Sequence, residues 1–240
     1  MKGTERHRLK ENELSHVLAG ATASMRDHGR SVSLAVSIVG LVLIAAGGYW
    51  AWKTRTESRA QILLGDAVIV AQAPIQEPKA GVTPAAGSYP TIAARAEAAV
   101  LKLAAVYDAY PSTKAGIAAR YHAAAALALL GRPADAVTRY QEVIDRAGSG
   151  DFYGRMARLG IVEANAQAKQ FDKAISAAEA LVKNTSEDVI PRDALLMELG
   201  RVQAAAGKKA EAKQTLDKVI AEFPQSAYIE EAKQLLASLT

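Results

Sequence analysis

Four histidines are the side chains of this sequence best suited to acid–base or metal chemistry near neutral pH, and their positions argue against both. His7, His16 and His28 stand within the first thirty residues, and His122 stands alone on an alanine-rich stretch, so no spacing suits zinc. Cysteine is absent, which removes disulfides, thiolate metal sites, a cysteine nucleophile and a lipid-modified cysteine together. The glycines form neither a phosphate-cradling loop nor a dinucleotide fingerprint. Gly131 and Gly207 read as turn glycines, and "GSG" at 148–150 reads as an interhelical loop. The expectation is a protein that is not an enzyme, with no catalytic, metal or cofactor site, whose work is binding.

Binding side chains need elements to carry them, and the first element is apolar. "SVSLAVSIVGLVLIAAGGYWAW", Ser31 to Trp52, holds no charged residue. As a helix it measures about 33 Å, against about 30 Å of bilayer hydrocarbon. Arg30 borders it on one side, Lys53 and Arg55 on the other, with Tyr49, Trp50 and Trp52 where an interfacial aromatic belt belongs. A signal peptide is the rival reading, because Ala45-Ala46-Gly47 offers small residues for cleavage; the long preceding tail and the length of the run favour a retained anchor. A buried soluble helix rarely presents apolar residues on every side. Ser33, Ser37, Gly40 and Gly47 fall near one helical stripe, a small-residue face on which another membrane helix packs closely. In the tail, Leu14, Leu18, Ala21 and Met25 have amphipathic spacing.

Beyond the run the charges nearly balance, with 23 Lys/Arg against 21 Asp/Glu. The sequence pI of about 9.2 therefore reflects no basic stripe, and nucleic-acid binding is disfavoured. Half the chain is apolar but only 5% is aromatic, with much alanine, a composition suited to close-packed helices.

Three stretches share a turn followed by an amphipathic helix: "LLGRPADAVTRYQEVI", "AKQFDKAISAAEALV" and "AAGKKAEAKQTLDKVI". Their matched alanines, Ala136, Ala174 and Ala212, are 38 residues apart both times, the mark of a repeat array. Tyr140, Ala178 and Leu216 follow four positions on, and Val143, Leu181 and Val219 seven positions on, giving each helix one apolar face. "EAAVLKLAAVYDAYPST" extends the pattern upstream as an incomplete unit, with a partner helix over 54–71. Between these two lies "APIQEPKAGVTPAAGSYP", a proline-rich loop over 73–90. The remaining prolines, Pro111, Pro133, Pro191 and Pro224, mark helix borders.

The copy "LMELGRVQAAAGKKAEAKQTLDKVIAEFP" resembles the tetratricopeptide repeat family, with Leu196, Leu199, Gly200, Gly207, Ala212 and Pro224 at the signature spacing. The middle copy departs from it, placing Lys169 where the turn glycine belongs and Ala178 where a larger side chain is usual. The resemblance implies an all-α solenoid with repeats at about 115–148, 153–186 and 193–224 and a capping helix over 225–239. Its groove would be lined by first-helix residues Tyr121, Leu129, Met156 and Leu159, continuing to Glu163, Met197 and Arg201. Tyr121 and Ala125 stand where some members place a cationic clamp for C-terminal carboxylates, so that mode is not expected.

In order and architecture the chain resembles the bacterial ancillary SecYEG translocon subunit family (YfgM-like). The residues that carry this are Arg30, the aromatic exit at Tyr49 to Trp52, Ser58-Arg59-Ala60 and "DFYGRMARLGIVEANAQAKQFDKAISAAEAL". The resemblance implies a cytoplasmic tail over 1–30, an inner-membrane span over 31–52 and a periplasmic repeat domain over 53–240. Its partners would be translocon subunits, periplasmic chaperones or secreted chains, with no small-molecule substrate. The proline-rich insertion and the "YPST" and "FPQS" endings depart from that family and are similar to repeats of envelope assembly or cell-division adaptors, the alternative reading.

Overall fold

A computed structural model describes residues 29–78, 85–148, 150–184 and 190–239, and these are all-helical, with no strand. In chain order the helices are α1 (Gly29–Ala71), α2 (Ile92–Ala109), α3 (Lys114–Leu129), α4 (Pro133–Ala147), α5 (Phe152–Gln167), α6 (Phe171–Asn184), α7 (Arg192–Ala205), α8 (Lys209–Glu222) and α9 (Ile229–Ser238). The chain divides into two compact units, Met1–Arg55 and Thr56–Thr240. The tail pattern at Leu14, Leu18, Ala21 and Met25 lies outside the described residues, as do His7, His16 and His28.

In the first unit the apolar run leaves its large side chains exposed, Ile44 by 74%. Among the described residues α1 is the one helix long and apolar enough, by length and composition, to cross a membrane. Ser33, Ser37 and Gly47 are exposed, and a Cβ built on Gly40 or Gly47 meets nothing within 4 Å. The rings of Tyr49 and Trp52 lie 6.0 Å apart near its charged border.

In the second unit each helix from α2 to α9 packs on the next in the chain, and α3 also packs on α5. The remainder of α1 joins this stack through Ala67, which shares a buried cluster with Ala99, Leu103 and Val106 of α2 and Ala119 and Ala123 of α3. The Glu57 carboxylate accepts hydrogen bonds from the backbone N–H groups of Lys114 and Ala115, both at 3.0 Å. A negative side chain thus satisfies orphan donors at the positive end of α3. Thr91, Thr113 and Asp151 cap α2, α3 and α5 with their own side chains. At the ends of the proline-containing connection, Ile75 and Tyr89 form a parallel bridge, with Tyr89 N–H donating to Pro74 O at 2.9 Å.

The 38-residue spacing has a packing cause. Ala136, Ala174 and Ala212 are all fully buried, where a small side chain suits closely packed paired helices. Side-chain sizes around them are complementary. A Cβ on Gly200 would lie 2.7 Å from Leu216 Cδ2, so a missing side chain on α7 makes room for a large one on α8. In the middle repeat the sizes are exchanged: Val162 takes the place of Gly200 and Ala178 that of Leu216, and both lie in one buried cluster. The small residue at 178, a departure from the repeat signature, is thereby compensated from the facing helix.

The turns repeat with the same period. Gly131, Lys169 and Gly207 take φ of 71°, 57° and 75°, and the following N–H groups of Arg132, Gln170 and Lys208 reach back to Leu127, Asn165 and Gln203 carbonyls. This is the left-handed closure that ends a helix and satisfies its last carbonyls. Lys169 therefore performs a glycine's task with a side chain attached, a conformation that costs roughly 1–2 kcal/mol. Lys169→Gly is expected to raise the thermal midpoint of the repeat unit by about 2–4 °C, read by circular dichroism.

Candidate functional site

Half-buried and exposed side chains of α3, α5, α7 and α9 form a row, with ring contacts between α3 and α5 and an ion pair between α7 and α9. It begins with aromatic rings: Tyr121 lies 5.5 Å from His122, 5.5 Å from Tyr153 and 5.6 Å from Tyr140, and His122 lies 6.3 Å from Tyr153. Tyr140 comes from α4 and reaches the row because α5 has no side chain at Gly160. A Cβ there would lie 2.6 Å from Tyr140 Cε2 and 2.8 Å from Cε1, inside the ring's van der Waals envelope. Burial pushes the Tyr140 and Tyr121 hydroxyls up, and the Glu163 carboxylate adds to both shifts.

The row continues in charge. Glu163 reaches solvent from α5 and makes no hydrogen bond or ion pair among the described residues. Desolvation first, and the Glu198 carboxylate second, raise its pKa, while Arg201 opposes the shift. Arg201 is already engaged. It donates to both carboxylate oxygens of Glu231 at 2.8 and 2.6 Å and to Glu198 at 3.1 Å, and it stands 5.8 Å from the Tyr228 ring. These bonds hold its pKa above the ordinary guanidinium value. They also tie α9 to α7.

The seven expected groove residues divide four ways. Tyr121, Glu163 and Arg201 stand in the row. Leu129, 60% exposed, stands away from it at the end of α3, where it lines a cavity of about 390 Å³ with Val68, Ala71, Ala125 and Ala126. His122 borders both the cavity and the aromatic rings. Met156 and Leu159 are half-buried against the cluster formed by α5, α6 and α7. Met197 is a correction, being fully buried in one cluster with Leu196, Leu216, Ala232 and Leu239. The chain's last helix contributes to the same core, so the position is interior rather than groove wall.

Sequence reasoning missed Tyr153 as a neighbour of Tyr121. Repeat register pairs Tyr121 with Leu159, whereas Tyr153 enters from the first turn of α5. Among the described residues no group of three or more His, Asp or Glu side chains is placed to hold a metal.

The family model of the tetratricopeptide repeat matches residues 118–148 and 193–226. The chain carries tetratricopeptide repeats. The two matches cover α3–α4 and α7–α8, and the helix pair between them, α5–α6, has the same turn closure and the same buried alanine. A search of curated proteins finds no match to the chain. Such repeats are helical scaffolds for protein–protein interaction, which fits a surface row of tyrosine, arginine and carboxylate groups.

Proposed function

We propose that this protein is a membrane-anchored scaffold that holds a protein partner along the row formed by α3, α5, α7 and α9. The observation that carries the reading is that successive first helices each place a side chain on this row: Tyr121 against Tyr153, Glu163 exposed on α5, and Arg201 against Glu231. Ser31 to Trp52 is the anchor, its tail lies in the cytoplasm and the repeats lie in the periplasm. The partners are translocon subunits, met through the span, and periplasmic chaperones or emerging chains, met through the repeats. Anchoring gives such a domain its advantage, because a tethered binder meets a membrane-bound partner at high effective concentration. No catalytic step belongs to this function.

Photocrosslinking from Ser33, Ser37, Gly40 and Gly47 tests the translocon assignment. Adducts with translocon subunits are expected from these positions and not from the opposite side of the helix. Their absence, with adducts to division or envelope-assembly proteins instead, would move the scaffold to another complex. Protease added to intact spheroplasts is expected to degrade the repeats; protection until lysis would place them in the cytoplasm and overturn the topology.

A further inference from the structure

We infer that Tyr121, Tyr140, Tyr153 and Glu163 form an acceptor site for a lysine or arginine side chain of the protein partner. The assignment rests on the scaffold reading and gives the chemistry of its ligand. Three tyrosine rings and one imidazole lie within 5.5–6.3 Å of a neighbour in the cluster, and their hydroxyls make no hydrogen bond among the described residues. Tyr140 is only 4% exposed and packs its ring on Gly160, so it forms the floor of the site behind Tyr121. Glu163 interacts electrostatically with the hydroxyls of both Tyr121 and Tyr140. Arg201, the cation whose charge acts on it, is held by two other carboxylates.

Aromatic faces carry partial negative charge and attract ammonium and guanidinium groups, most strongly where water is excluded. A carboxylate lacking a counter-charge supplies the rest of the attraction, and the phenol oxygens accept the remaining N–H donors. Burial lowers the pKa of His122, which disfavours a competing charge on its imidazole. An acidic ligand would be repelled by Glu163 and by Glu198 beyond it. A purely apolar ligand would leave Glu163 desolvated and unpaired. The adjoining cavity, reached past His122 and lined by Ala125 and Leu129, takes an apolar side chain of the same segment. The recognised feature is therefore a basic residue with an apolar neighbour.

A random dodecapeptide display library selected on the full chain in lipid nanodiscs is the test. Peptides carrying lysine or arginine beside an apolar residue are expected. For one lysine-bearing peptide so recovered, acetylation of the lysine and Glu163→Gln should each weaken binding roughly ten-fold. Together they should weaken it no more than either alone, since both remove one contact. Glu163→Gln preserves helix propensity and removes a charge that its surroundings disfavour, so the variant folds. Selected peptides without basic residues, or losses that multiply, would overturn the cation site and leave the scaffold intact. Recovery of no peptide above empty nanodiscs would overturn both.

Discussion

Met197→Ala is expected to lower the stability of the repeat unit by about 2–5 kcal/mol while leaving peptide affinity unchanged at temperatures where the variant is folded. Met197 is fully buried, and its side chain fills space among Leu196, Ala212, Leu216 and Val219, with Ala232 and Leu239 in the same cluster. Truncation removes buried methylene and thioether surface and leaves a cavity that flanking helices cannot fully close. In a repeat array each unit leans on its neighbour, so the loss should concentrate at α7, α8 and α9. Hydrogen exchange there should accelerate before it does in α3 and α4. Urea unfolding gives the magnitude. A loss below about 1 kcal/mol accompanied by weakened binding would return Met197 to the groove wall.

This residue also shows what the sequence left hidden. The array itself was legible, because closely packed paired helices favour a small buried side chain and so repeat alanine at Ala136, Ala174 and Ala212. The anomaly at Lys169 was legible for a similar reason: a turn closed by left-handed backbone leaves its mark even when glycine is replaced. The apolar run was legible from length and lack of charge alone. Partition within the first helices was not. Met197 and Arg201 are four positions apart on α7 and so lie near one face, yet one is interior and the other meets Glu231. The difference comes from where α9 packs, and helical periodicity carries no such information. Tyr153 escaped for the complementary reason, since its approach to Tyr121 depends on how α5 begins after the glycine-containing turn, outside the repeat register.

The other large effect concerns the cation already built into the repeats. Arg120 is 4% exposed, and its guanidinium carbon sits 4.7 Å from the centre of the Tyr107 ring, with Arg139 4.9 Å from the same ring. Glu142 serves both: Arg139 donates to its Oε2 at 2.7 Å, and Arg120 Nε stands 3.1 Å from the same oxygen without hydrogen-bond alignment. Burial first, then Arg146, push the Arg120 pKa down, which marks a cation held at a cost.

The two partners should therefore respond unequally. Glu142→Ala leaves a buried guanidinium uncompensated beside two others and is expected to cost about 3 kcal/mol, the low end for a broken buried pair because Glu142 is itself 36% exposed. Arg120→Met replaces the strained charge by an apolar chain of similar length and should be neutral or mildly stabilising. The double variant should return to within about 1 kcal/mol of the parent, a coupling read from urea unfolding. Losses that simply add would show that Glu142 acts through some other contact. Arg120 and Tyr121 are consecutive on α3, and Arg139 and Tyr140 are consecutive on α4. One pair of helices thus carries an internal ion pair and, on adjoining positions, the tyrosines proposed to receive a cation from outside. Loosening the internal pair should therefore widen the Tyr121–Tyr140 separation, so that Glu142→Ala weakens binding of lysine-bearing peptides as well as the fold.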